Sequence, residues 1–510
     1  MRGWPRFRRA SAYLRVSLAI AALLVYATTA LALHQYRNMN FYAERGALAA
    51  AISTTVYGAP LGASYSGVNA YIHNPNTALL QSVRLTASGK TEAGSLIFDG
   101  GADGSGIGYL LVATLGMLVF GPHLVSPTLM MLMVMTISAA AYLWRFGTDC
   151  AVVTMLYFSS LTLLIFTAPV YTRSVAQELP IAGIRYFAVV GVLPSLHIAT
   201  ELLCRAPATE RWRFGFLVIQ VIILVLAILT RSSNAAFLGV IGVIWVVSAW
   251  RNRRDPIVRS RLIGSGVCIA GTAAGLFMLI LSLFPSNYLG DGRFTGVIWH
   301  RAFVGLGYNP EWPFGDLREK YKCDTVKGGP ASILRPGPLD ANGLCIWQHY
   351  RQEHPEVPNT ALVYGAQYER VLREAFFEVV REYPRQVWQT EIYYKSKMAH
   401  TEIRDAIHPQ FRLSEYSNSL QYLFVTICAL LAIFIIVPWP VTDIRQSLRF
   451  IGLTLGFSLS NFPGYFLAWP GTSQTFDLKL LVMMVVGLVL NAAVEWVKGR
   501  CWSTASATTV

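Results

Sequence analysis

The sequence predicts an all-α polytopic membrane protein with about ten transmembrane helices, one re-entrant or surface helix over 106–120, and two extracytoplasmic loop domains. Three observations predict it. Long apolar runs such as Leu217–Leu229 and Gly264–Phe284 are interrupted by only two sizeable polar stretches, 34–122 and 285–417. Charged residues make up 14% of the chain and hydrophobic ones 54%, whereas a soluble domain carries about a quarter charged residues. The net charge of +14 gathers in short basic clusters beside the apolar runs. That is the pattern of positive-inside topology, and it argues against nucleic acid as a partner.

The elements follow in order. A first span over 16–33 comes after Arg2, Arg6, Arg8, Arg9 and Arg15, so the N-terminus is expected in the cytoplasm as an uncleaved anchor. Further cytoplasmic clusters are Arg205/Arg211/Arg213, Arg251/Arg253/Arg254/Arg259/Arg261 and Lys498/Arg500. If 107–120 and 124–143 both crossed the bilayer, Arg205–Arg213 would fall outside. A short 106–120 segment with a Gly-rich start, lying at the surface or re-entering, removes the conflict. The remaining spans are 123–144, 151–168, 183–203, 214–230, 235–250, 262–284, 418–437, 447–468 and 478–496. Both termini are then cytoplasmic and both large loops share the outer face. Three regions result: a membrane module over 1–285 that includes loop 34–122, an extracytoplasmic domain over 286–417, and a C-terminal three-helix segment over 418–510.

Cysteine placement agrees with that topology. Of seven cysteines, only Cys323 and Cys345 lie in an extracytoplasmic loop, where disulfides persist. They are expected to pair, the alternative being two free thiols.

Loop 34–122 holds four acidic residues: Glu44, Glu92, Asp99 and Asp103. Gly46–Thr55 has helical potential. Asp99 and Asp103 are flanked by glycines, which let a backbone approach a ligand closely. They suit a general base or an oxygen ligand of a hard divalent cation such as Mg²⁺ or Mn²⁺, although local sequence alone favours an Asx-type turn. No cofactor is certain and no metal ligand is assigned. Glu44 reads as a base or as a helix-start charge.

Arg173 and Glu178 lie in the short outer loop 169–182, Arg185 just inside the next span and Arg231 at another outer boundary. Ionisable groups near membrane depth are costly, and arginine matches phosphate geometry. Snorkelling to headgroups explains each one alone. His197 and Glu201, one turn apart within a span, read as a buried polar pair. In the second loop, Trp299-His300-Arg301 is suited to stacking on a sugar and donating to it, or to anchoring at the interface. An amphipathic helix is expected over 368–382, ending near Pro384. A second would carry Lys395, Lys397 and His400 toward the membrane. Walker, HExxH, GxSxG and zinc-type Cys/His patterns are absent from the sequence.

Tyr42-Ala43-Glu44, the run from Tyr109 to Phe120-Gly121, Tyr142 through Arg145, and Trp299-His300-Arg301 with Gly305-Leu306-Gly307 together carry a resemblance. The chain resembles the GT-C superfamily of polytopic membrane glycosyltransferases, in an uncharacterised bacterial branch. The likeness is architectural over residues 1–285. The chain differs in having Asn38 and Asn40 where an acidic residue follows the first span, and only Glu178 in place of an acidic pair in the second outer loop.

The resemblance implies an inverting glycosyltransferase, dependent on a polyprenyl-phosphate-linked sugar, at the outer face of the bacterial inner membrane. Its acceptor would be an envelope glycan or lipid. Asp103, Glu44 or Asp99 would be the base. Arg173, Arg185 and Arg231, with Lys395, would stabilise the lipid phosphate, and Glu178, Trp299, His300 and Arg301 would shape the substrate site. An O-antigen polymerase or ligase, and a non-catalytic transporter or flippase, are the alternative readings.

Overall fold

A computed structural model describes residues 45–65, 68, 96–97, 107–122, 126–146, 190–203, 213–230, 234–285, 298–312, 314–321, 340–357, 365–398, 400, 452–453 and 456–457. These residues are overwhelmingly helical. Among them, one antiparallel pair of two-residue strands, β1 (Ser64–Tyr65) and β2 (Leu96–Ile97), is the whole of the sheet.

The first body contains α1 (Arg45–Tyr57), α2 (Ile107–Phe120), α3 (Ser126–Phe146), α4 (Val192–Leu203), α5 (Arg213–Thr230), α6 (Ala235–Arg251) and α7 (Pro256–Leu283). They share one hydrophobic core, which Phe457 joins through an edge-to-face contact with Phe237, ring centroids 5.4 Å apart. The α7 helix begins six residues before the apolar run at 262. Asp255 accepts hydrogen bonds from the amides of Ile257 and Val258, and Pro256 occupies the first turn, where its missing N–H costs nothing.

Among the described residues, two helices, α5 and α7, are long and apolar enough to cross a membrane. In α7 only 6% of the most apolar window is buried. Val267, Met278 and Leu279 are each more than half exposed. A soluble fold would bury such a helix, because contiguous apolar surface on this scale is rare in water. The exposed faces of α6 (Val243, Val246, Val247) have the same character.

The position of α2 follows from contacts at two glycines. Antiparallel α3 and α5 are pinned at two levels, where Ser138 meets Gln220 and where Arg145 and Arg213 both reach Glu201. Counting away from the Ser138–Gln220 level at about 1.5 Å per residue, Ser126 and Thr230 stand at similar heights, roughly 18 and 15 Å on. The α2 helix touches both. A Cβ at Gly108 would collide with the backbone of Thr230, and one at Gly116 would lie 2.5 Å from Ser126 O. The helix therefore lies across the far end of the α3/α5 pair, not alongside it. At its end, Gly121 adopts φ 89° and its carbonyl accepts from Ser126 Oγ at 2.6 Å, which turns the chain into α3. Helix α1 packs on α2, and its small residues Ala47, Ala49, Ala50 and Ala51 are buried. The strand pair adjoins α1, with Tyr65 N donating to Ser53 Oγ at 3.1 Å.

The second body comprises α8 (Ile298–Gly305), α9 (Phe314–Lys320), α10 (Asp340–Glu353), α11 (Ala366–Glu382) and α12 (Pro384–Trp388). A π-helical turn over Gln389–Tyr394 continues α12. Its separate core is built on Phe303, Trp347, Tyr368, Leu372, Phe376 and Val379. The amphipathic pattern of 366–382 buries one face of α11 against α8 and α10.

Candidate functional site

Two polar centres stand out, one in each body. In the first, Glu201 near the C-terminus of α4 draws together three helices. Its Oε2 accepts from Arg145 Nε of α3 at 3.0 Å. Its Oε1 accepts from Arg213 Nε of α5 and from Arg261 Nη2 of α7, the latter at 3.3 Å. Arg213 Nη2 also donates to Ser265 Oγ at 2.5 Å. Each of these side chains is at least nine-tenths buried. Two arginines come from helix starts and one from a helix end, so the network marks one common end of the bundle. That end is opposite to the one α2 crosses.

One turn earlier on α4, His197 belongs to a different set of partners. Gln220 Oε1 accepts from Ser138 Oγ at 2.6 Å, and Gln220 Nε2 donates to Ser138 O at 2.9 Å. The second Nε2 hydrogen then points at His197 Nδ1, 3.1 Å away, which makes Nδ1 the acceptor and puts the ring proton on Nε2. Tyr142 stands edge-on to the imidazole. His197 and Glu201 are thus both buried, as their spacing predicts, but each answers to its own partners.

The second centre holds Trp299, His300 and Arg301 on α8. Glu369 of α11 accepts from the backbone amides of Trp299 at 2.7 Å and His300 at 3.1 Å, closing the helix start with a carboxylate. Burial pushes the Glu369 carboxyl above the usual carboxylate range, while the two amides pull the other way. His300 is 5% exposed, and its Nδ1 lies 2.7 Å from Tyr368 Oη. Gly343 of α10 makes room for that pair: a Cβ there would fall 2.7 Å from Tyr368 Oη and 2.8 Å from His300 Nδ1. Trp299 packs on Phe376 and Phe377. His300 is therefore enclosed within its own domain, while Trp299 is half-buried against the edge of the same core. Arg301 is half-buried.

Lys395 is enclosed as His300 is. It is 1% exposed, and its Nζ holds Glu391 Oε1 at 2.7 Å across one turn. Burial lowers its pKa, with Glu391 opposing the shift. Its ammonium is enclosed with the half-buried carboxylate of Glu391. Lys397, two residues on, is the exposed one.

Glu44, Asp99, Asp103, Arg173, Glu178, Arg185, Arg231 and Cys323 lie outside the described residues. Chain continuity still relates some of them to described elements. Glu44 immediately precedes α1, Asp103 precedes α2 by four residues, and Arg231 follows the last residue of α5. The Gly108–Thr230 contact joins the elements from which the Asp103 and Arg231 segments depart. Among the described residues, no group of three or more His, Cys, Asp or Glu side chains is arranged to hold a metal ion.

Sequence reasoning found His197 and Glu201 but missed that Arg145, Arg213 and Arg261 are the carboxylate's partners. The available signal was topological: all three arginines sit at span ends assigned to one membrane face. Comparison with known proteins returned nothing, as no family model, no curated protein and no solved structure matches the chain.

Proposed function

We propose that this chain is a multi-pass membrane glycosyltransferase that moves a sugar from a polyprenyl-phosphate donor to an envelope glycan or lipid acceptor. The reaction takes place at the outer face of the bacterial inner membrane, with about ten spans and both termini in the cytoplasm. The observation that carries this reading is α2 lying across one end of the helix bundle, with α1 packed on it. Such a cap is the kind of element that would roof a membrane face, and the start of α2, just after the acidic sequence, touches the end of α5. The exposed apolar surface of α7 supports a lipid surround.

In this mechanism a carboxylate of Asp103, Glu44 or Asp99 takes the proton from an acceptor hydroxyl. The hydroxyl oxygen bonds to the anomeric carbon as the carbon–oxygen bond to the lipid phosphate breaks, with inversion. Arg173, Arg185 and Arg231 stabilise the departing phosphate electrostatically. A divalent cation (Mg²⁺ or Mn²⁺) held by these carboxylates would add the same kind of charge stabilisation. Lys395 drops out of the phosphate set because its ammonium is enclosed with Glu391. The Cys323–Cys345 disulfide belongs to the same outer-face reading. Cys345 is fully buried and in disulfide form, and the proposed partner is Cys323.

The test is transfer by purified protein in proteoliposomes, using radiolabelled polyprenyl-phosphate sugars and a panel of membrane acceptors. Wild type should transfer, Asp103→Asn or Glu44→Gln should not, and Arg231→Gln should slow the reaction. Transfer unchanged in both carboxylate variants would overturn the assignment of the base. Binding without transfer across the panel would overturn the enzymatic reading.

A further inference from the structure

We propose that the exposed stripe from Arg385 to His400 is a membrane-surface anchor that seats the second body on the headgroup region of an anionic phospholipid bilayer. The proposal rests on the membrane reading above but not on the transfer reaction.

The stripe has a composition of its own. Trp388, Ile392 and Tyr393 are 68%, 48% and 59% exposed, and Arg385, Lys397 and His400 are exposed beside them. Tyrosine and tryptophan prefer the bilayer interface, where an apolar ring and a polar edge are both satisfied. Arginine and lysine nearby suit anionic headgroups. The only acid between Tyr383 and His400 is Glu391, whose Oε1 is already held by Lys395. The segment itself therefore presents cationic and aromatic groups without an exposed carboxylate of its own, the exposed Glu311 of a neighbouring element reaching it at Tyr394.

Immediately upstream the surface is different. The outer face of α11 mixes exposed Arg370, Arg373, Glu374, Arg381 and Glu382, the pattern of a helix in water. The change falls at the break between Tyr383 and Pro384, where one helix ends and α12 begins. The π-helical turn adds to it. Residues five apart are splayed by α winding at 3.6 residues per turn but drawn toward one side by the wider π turn, and Trp388 and Tyr393 are five apart. Beyond His400 the sequence leads toward the apolar run 418–437, the next expected span, so the stripe lies on the approach to the bilayer. A lipid interface fits these features, because aromatic rings and basic groups together match the mixed apolar and anionic character of a headgroup region.

The experiment uses the full chain in nanodiscs of phosphatidylcholine, with and without phosphatidylglycerol. The emission lost in Trp388→Phe isolates Trp388, and that lost in Trp250→Phe isolates a second exposed tryptophan at the end of α6. Nitroxide-labelled lipid and aqueous acrylamide are the two quenchers. The expected result is a blue-shifted Trp388 component quenched by the lipid nitroxide, more strongly when phosphatidylglycerol is present. A Trp388 component quenched only by acrylamide would mean the stripe stands in water, and protection from both quenchers would mean another protein surface or a second copy covers it. Either outcome overturns the anchor. If Trp250 is lipid-quenched in those cases, the membrane reading survives, and if neither tryptophan senses lipid, both fail.

Discussion

Arg145 and Glu201, 56 residues apart in the chain, meet inside the helix bundle with Nε donating to Oε2 at 3.0 Å and both side chains almost wholly buried. Arg213 and Arg261 reach the same carboxylate, so one residue ties α3, α4, α5 and α7 at a single end. Removing one partner of a buried ion pair leaves the others uncompensated and typically costs about 3–5 kcal/mol. Glu201→Gln should therefore lower the thermal unfolding temperature in detergent markedly. Arg261→Leu, which loses the longest of the three contacts, should lower it less. An unfolding temperature unchanged in Glu201→Gln would show that the network is not a stabilising tie.

The crossing of α2 over the α3/α5 ends predicts a contrast among glycines. Gly108→Ala and Gly116→Ala place a methyl group against backbone atoms of Thr230 and Ser126, where nothing flexible can yield. Overpacking of this kind costs about 1–3 kcal/mol. Gly239→Ala and Gly242→Ala meet open space on α6 and should be neutral or stabilising by about 0.5–1 kcal/mol through helix propensity. Unfolding temperatures of the four variants measure the difference. If Gly108→Ala behaves like Gly239→Ala, α2 does not approach α5 as described.

How much of this was legible in the sequence depends on the range of the interaction. Among the described residues several helices came through, because apolar run length and local caps are local properties. The expected 214–230, 235–250 and 368–382 are observed as Arg213–Thr230, Ala235–Arg251 and Ala366–Glu382. Side-chain partners did not. Arg213 and Arg261 read as topology-setting cations because nothing local joins them to Glu201, 12 and 60 residues away. The Trp299-His300-Arg301 motif read as a surface-facing set because an eight-residue helix offers too little periodicity to say which face turns inward. Lys395 read as one of a membrane-directed set with Lys397 and His400, because nothing in the local sequence says which of the three turns inward to meet Glu391.

Cys345 leads to a prediction about the second body. Peptide mapping under non-reducing conditions should recover Cys323 cross-linked to Cys345, and Cys345→Ser should destabilise the domain by about 2–5 kcal/mol, the usual effect of losing a native disulfide. Cys268, a half-buried free thiol in α7, should remain alkylatable after unfolding without reduction. Recovery of Cys345 in any other linkage would remove the topological argument built on the two outer cysteines.

Glu369 gives the second body a pH dependence whose sign can be worked out. Its folded pKa is raised above the ordinary 4.5 by burial. Between 4.5 and the raised value, the native state holds more protons than the unfolded chain. Stability from this group is complete below pH 4.5 and declines as pH rises through the folded pKa. Glu378 works in the opposite sense, its pKa lowered by hydrogen bonds from Lys320 and Tyr321 that outweigh desolvation, and its stabilisation is lost on acidification below 4.5. Comparing unfolding temperatures of wild type and Glu369→Gln from pH 4.5 to 7 should show wild type falling relative to the variant. Parallel curves would mean that the carboxylate capping α8 titrates alike in both states.

The Lys395–Glu391 pair separates a structural role from a substrate-binding one. Lys395→Met alone leaves the Glu391 carboxylate enclosed without its cation, and burial already raises that carboxyl's pKa, so the variant should be destabilised and should bind a proton at Glu391. Replacing both residues, as in Lys395→Met with Glu391→Leu, removes the enclosed charges together and should restore most of the lost stability. A double-mutant cycle on unfolding temperatures reads the coupling directly. The same double variant, assayed for sugar transfer, isolates function from stability. A lysine that held the lipid phosphate would leave the double variant folded but slow, whereas one that only neutralises Glu391 would leave it folded and as fast as wild type. The enclosure of Nζ against Glu391 Oε1 leads us to expect the second result.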